Sequence, residues 1–77
     1  MPVTDKEWND ACRAILKAAE ASKEGDAIRY GASYAQAGIG MTGEYRRVQA
    51  LYIRNNLSGW KGEEARAVKA VLIRASK

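Results

Sequence analysis

Three groups of side chains in this 77-residue chain have types and spacings that could do chemistry: a set of cations, a set of aromatic rings and a single thiol. Arg46, Arg47 and Arg54 fall within nine residues, and Arg66 and Lys69 follow close behind. Basic side chains gathered on helices are the electrostatic footprint of phosphate binding, because each neutralised phosphate releases condensed counterions. Tyr30 and Tyr34 are four residues apart beside Arg29. Tyrosine and arginine are enriched where proteins anchor on one another, since both offer large contact area and a polar tip. Trp60 sits in the sequence Gly59-Trp60-Lys61-Gly62, where a ring on a flexible connection could stack on a base or fill a partner's pocket.

Each group also has a plainer reading. The cations can be a solvated face that keeps the chain in solution. Tyr30 and Tyr34 can be half-buried rings that cover an alanine-rich helix. Trp60 can fold back to plug the end of a small core. With no phenylalanine in the chain, the six aromatic rings must supply much of the core volume, and Trp8, Tyr45 and Tyr52 are expected there.

Catalysis has little to work with. The chain contains no histidine, so serine–histidine, cysteine–histidine and histidine–metal arrangements cannot be built within one copy. Cys12 is the sole cysteine, which excludes an internal disulfide and a four-ligand zinc site of the usual kind. It falls on an apolar helical stripe, where a thiol is inert. Asp5, Glu7 and Asp10 gather at a helix start, where capping and the helix dipole account for them. Gly38-Ile39-Gly40 is too short to be a phosphate-cradling loop. No enzyme activity, cofactor, metal or small-molecule substrate is expected.

Four helices are expected to position these groups, separated by glycine at 25, at 38 and 40, and at 59 and 62. Thr4-Asp5-Lys6-Glu7 is a capping box that opens the first helix. Trp8, Ala11, Cys12, Ile15, Ala18 and Ala19 recur along it at helical spacing. Gly25 suits its left-handed C-terminal position, and Asp26 suits the cap of the second helix, over 27–37. There Ile28, Gly31, Ala32 and Ala35 share a face, and Gly38 followed by Ile39 reads as a glycine stop with a hydrophobic contact. Thr42 caps a third helix running to about Asn56. It is apolar on two sides, with Tyr45, Val48, Leu51 and Tyr52 opposite Ala50, Ile53 and Leu57, so it is expected at the centre of the bundle, packed on both. The fourth helix starts between Lys61 and Glu63, with Ala67, Val68, Val71, Leu72 and Ala75 inward. Glu63 and Glu64 complement its positive end, and Arg74 and Lys77 the other.

Charge is unevenly placed over these elements. Residues 1–40 carry five basic and six acidic groups, whereas residues 41–77 carry eight basic and three acidic, so the net +4 belongs to the last two helices. On the fourth helix Arg66, Lys69 and Lys77 form a stripe broken by Ile73. The Gly38–Gly40 turn invites a helix-turn-helix reading with Arg46, Arg47 and Gln49 as base readers. Tyr34 occupies the place where that motif needs a small residue, and a simple turn within a bundle fits better.

The expected object is therefore all-α: a compact bundle of about four short helices with the third at its centre, forming one domain over 1–77. Its expected function is that of a small non-enzymatic binding, adaptor or regulatory module working through protein–protein contacts at Arg29, Tyr30, Tyr34 and Trp60. A homodimer is one expected form, because so short a chain buries a thin core. The alternative is DNA binding through Arg46, Arg47, Arg54, Arg66 and Lys69. Residues 1–5 lack the basic and apolar regions of a signal peptide, and no apolar run reaches the roughly 20 residues of a membrane span, so a cytoplasmic protein is expected.

Overall fold

The computed structural model describes residues 3–21 and 26–77. They form α1 (Asp5–Ala21), α2 (Asp26–Gly38), α3 (Gly43–Asn55) and α4 (Glu63–Ala75). Both α1 and α3 pack against α2 and α4, so the four helices close into a ring around one apolar interior. This is the all-α bundle the sequence implies. No described helix is long and apolar enough to cross a membrane.

The capping box of α1 forms as expected. The Glu7 N–H donates to Thr4 Oγ1 over 3.1 Å, and the Thr4 N–H donates to Glu7 Oε1 over 3.2 Å. Trp8, Ala11, Cys12 and Ile15 are buried on one side of α1. From α2, Ile28, Gly31, Ala32 and Ala35 face them. Gly31 is there for space: a Cβ at this position would overlap the Leu57 side chain and come within 3.0 Å of the Asn56 carbonyl oxygen. Gly25 and the side chain of Asp26, to which capping roles were assigned, lie outside the described residues.

The end of α2 differs from expectation. Gly38 is helical, and the left-handed residue is Gly40, with φ of 86°. Gly38 serves close packing instead. A Cβ on it would lie 3.1 Å from the Trp8 ring and 3.2 Å from the Gln49 Cγ, so three helices meet at this one position. The Gly40 N–H donates to the Asn9 side-chain oxygen over 3.0 Å, which ties the turn to α1. Thr42 does hold the N-cap position of α3 in extended geometry, but its hydroxyl makes no capping hydrogen bond.

In α4 the buried residues are Ala65, Val68 and Leu72, with Val71 and Ala75 half-buried and Ala67 exposed. The inward face is thus rotated slightly from the expected stripe. The largest correction concerns α3. It lies between α2 and α4, as a middle helix should, yet it is packed on one face only. Ala50 and Ile53 are fully buried, and Leu57 beyond the helix end joins them. On the other face Tyr45 is 81% exposed and Tyr52 51%, so neither is the core residue the lack of phenylalanine suggested. The reason is geometric: in a ring of four helices each has one inward face, and no fifth described element covers the outer side of α3. Trp8 fills the interior that the tyrosines do not.

Candidate functional site

The outer side of α3 and the adjoining edge of α2 carry several exposed apolar side chains. The rings of Tyr34 on α2 and Tyr52 on α3 stack with centroids 5.6 Å apart and planes inclined by 22°. Offset stacking of this kind adds to the stabilisation from area alone, by about 0.5–1.5 kcal/mol. The seam below is closed by Gln49, whose side-chain amide donates to the Tyr34 carbonyl over 2.7 Å. Val48 and Leu51 lie exposed beside the stack, with Glu44 and Tyr45 one turn before Val48. Tyr30, one turn before Tyr34, extends the surface along α2 and is exposed. Large apolar side chains gathered on one solvent-facing surface mark contact sites, whereas scattered ones do not.

Of the four residues expected to contact protein, Tyr30 and Tyr34 therefore sit on or beside this surface, whereas Arg29 is exposed on α2 about 140° around the helix from Tyr34. Trp60 does not lie on it either. It is half-buried against the core, and its carbonyl accepts from the Lys69 ammonium over 2.6 Å. The sequence reading missed Tyr45, Val48, Leu51 and Tyr52 as surface groups. The signal is the doubled apolar pattern of the third helix, which is equally compatible with burial on both sides and with one buried and one open face.

The five cations expected to contact nucleic acid do not line one cleft. Arg46 and Arg47 line a cleft of about 710 Å³ between the start of α3 and the end of α4, with Arg74 and Lys77. Arg66 and Lys69 line a separate cleft of about 320 Å³ beside Trp60 and Lys61. Arg54 belongs to neither. Most of these groups are also engaged within the chain. Arg46 donates to Asp5 Oδ1 over 2.8 Å and to the Val3 carbonyl over 3.0 Å, tying α3 to the start of α1. Arg47 is ion-paired with Glu44, whose carboxyl it holds below the ordinary range chiefly through their hydrogen bond. Arg74 donates to Glu7 Oε2 over 3.0 Å. Among the described residues, Arg54 and Arg66 make no ion pair.

Cys12 is wholly buried, and desolvation pushes its thiol up to about 11. It is a packing residue of α1. Among the described residues no three His, Cys, Asp or Glu side chains gather as a metal site.

No family model, curated protein or solved structure matches this chain. Its own surface is what a functional reading has to rest on.

Proposed function

We propose that this chain is a small non-enzymatic helical binding module, an adaptor or regulator that works through protein–protein contacts at the α2–α3 face. The observation that carries this reading is the solvent-facing Tyr34–Tyr52 stack with Val48, Leu51 and Tyr45 uncovered beside it. Exposing these groups leaves apolar area in water, at a cost of about 25 cal/mol per Å² that a partner's surface would recover. A helical scaffold holds the rings in place before contact, so little ordering entropy is lost on binding. DNA binding has less support, because Arg46, Arg47 and Lys69 are already held by Asp5, Glu44 and the Trp60 carbonyl.

Site-specific photo-cross-linking in cells tests the reading. A photoreactive residue at position 45 is expected to capture protein, while the same residue at exposed position 73 on α4 captures little. Equal yields at the two positions, or none at position 45, would remove the α2–α3 face as the contact surface.

A further inference from the structure

The exposed face of α3 carries a pattern that specifies one kind of occupant. Glu44, Val48, Leu51 and Asn55 are spaced four, three and four residues apart. That is the seam of a coiled-coil heptad, with β-branched Val48 and then Leu51 at its centre. Tyr45 and Tyr52 flank the seam on one side, and Arg47 and Arg54 flank it on the other. This face is turned away from the buried face of α3: Val48 is 38% exposed and Leu51 39%.

We infer that the face is occupied by the same face of a second copy, with the two α3 helices antiparallel across a two-fold axis passing between Val48 and Leu51. This names the partner for the contact surface proposed above and rests on that reading. The pattern is self-complementary in this one arrangement. An antiparallel pair related by a two-fold brings like flanks together with reversed direction. Val48 then lies over Leu51 of the second copy, Tyr45 beside Tyr52, and Glu44 between its own Arg47 and Arg54 of the second copy, each relation occurring twice. Glu44 stands at the N-terminal end of the face and Arg54 at its C-terminal end, so reversal converts them into a cross-chain ion pair. A parallel pair would instead set Glu44 on Glu44, with the two helix dipoles aligned unfavourably.

Two features of the single chain prepare the contact. The Tyr34 ring backs the Tyr52 ring at 5.6 Å and restrains it, so the flank is rigid before the copies meet. Arg47 holds the Glu44 carboxylate at the edge of the seam, and a carboxylate retains capacity to accept from Arg54 of the second copy as well. The seam spans a helix of 13 residues, about 20 Å, so the contact is of modest size even with Tyr34 and Tyr30 at its margin. A reversible dimer with a dissociation constant on the order of 1–100 µM is expected from so small an interface.

Sedimentation equilibrium of the full chain from about 10 µM to about 1 mM tests this. Wild type is expected to pass from monomer to dimer over that range, and Val48→Asp with Leu51→Asp to stay monomeric while keeping its helical circular dichroism. Glu44→Lys alone and Arg54→Glu alone are each expected to weaken association by about tenfold. The double variant Glu44→Lys with Arg54→Glu restores it, because the two residues lie ten positions apart on one helix and can meet only between chains. A wild-type chain that is monomeric at about 1 mM overturns the inference. So does a dimer indifferent to Val48 and Leu51, or single variants that weaken it with no rescue by the double. The cross-linking result separates this failure from failure of the contact surface itself. A product at position 45 of mass other than twice the chain keeps the surface and removes the two-fold; absence of any product removes both.

Discussion

The indole N–H of Trp8 donates to the carbonyl oxygen of Gly38 over 2.8 Å, and both residues are buried. The same carbonyl also accepts from the Met41 N–H over 3.0 Å. One backbone oxygen thus ends α2, starts the turn toward α3 and fixes the largest ring of α1. That contact holds the seam from which the exposed face of α3 is presented.

Trp8→Phe keeps an aromatic ring but removes the donor and part of the volume. A loss of about 1–3 kcal/mol is expected, from one lost buried hydrogen bond and a small cavity. Urea unfolding monitored by circular dichroism measures it. A change too small to resolve would mean that the contact to Gly38 contributes little.

The two faces of α3 should respond in opposite ways. Ile53→Ala is expected to cost about 2–5 kcal/mol, because Ile53 is fully enclosed. Tyr45→Ala, on the open face, should stay within about 0.5 kcal/mol when measured at concentrations where the chain is monomeric. Comparable losses at the two positions would restore the expectation that α3 is packed on both sides.

Glu7 links stability to pH. Its carboxyl is held below its ordinary value of 4.5, first by the Thr4 backbone N–H and then by Arg74. A folded-state value below the unfolded one stabilises the fold above the ordinary pKa, and that contribution disappears as pH falls through the lowered value. Wild type should therefore be more stable than Glu7→Gln by a constant margin above about pH 5, and the margin should close in acid. Denaturation midpoints of the two proteins across pH measure the gap. A gap that widens on acidification would contradict the assignment.

Cys12 should react only when the bundle opens. With the thiol pushed up to about 11 and no exposed surface, Ellman's reagent at mild alkaline pH is expected to label the native chain far more slowly than the urea-unfolded one. Native labelling at the rate of a free thiol would mean that α1 is not held against its neighbours.

Duplex DNA gives a last comparison. With four of its five candidate cations divided between two clefts, and Arg46 and Arg47 already ion-paired, the chain is expected to bind weakly even at low salt. Neutralising Arg46 with Arg47 should then change the salt slope little. Tight binding with a steep slope that those substitutions flatten would favour the phosphate-contacting alternative.

Local physics was readable from the residues alone. The Thr4–Glu7 capping box, the buried stripe Trp8, Ala11, Cys12 and Ile15, and the small-residue face of α2 all depend on neighbours three or four positions away. So does the α3–α4 boundary near Gly62, whose φ is 115°. Spacing along one chain specifies such features directly. Gly38 was readable as a helix end but not as a packing site, because the groups that crowd it come from Trp8 and Gln49 on other helices.

Surface placement needed the assembled bundle. The doubled apolar pattern of residues 45–57 states that two faces of α3 avoid water, and it cannot state which one the chain itself covers. That choice depends on the number of elements available to pack, and four helices in a ring supply one inward face each. The charges behave alike: their count over the last two helices follows from composition, whereas their pairing with Asp5, Glu7 and Glu44 follows from which helix ends meet. Residue types and spacing determined an all-α chain lacking histidine-based chemistry. Tertiary packing decided that its cations are divided, with Arg46, Arg47 and Arg74 ion-paired, and that Tyr45 and Tyr52 lie on an open face and not in the core.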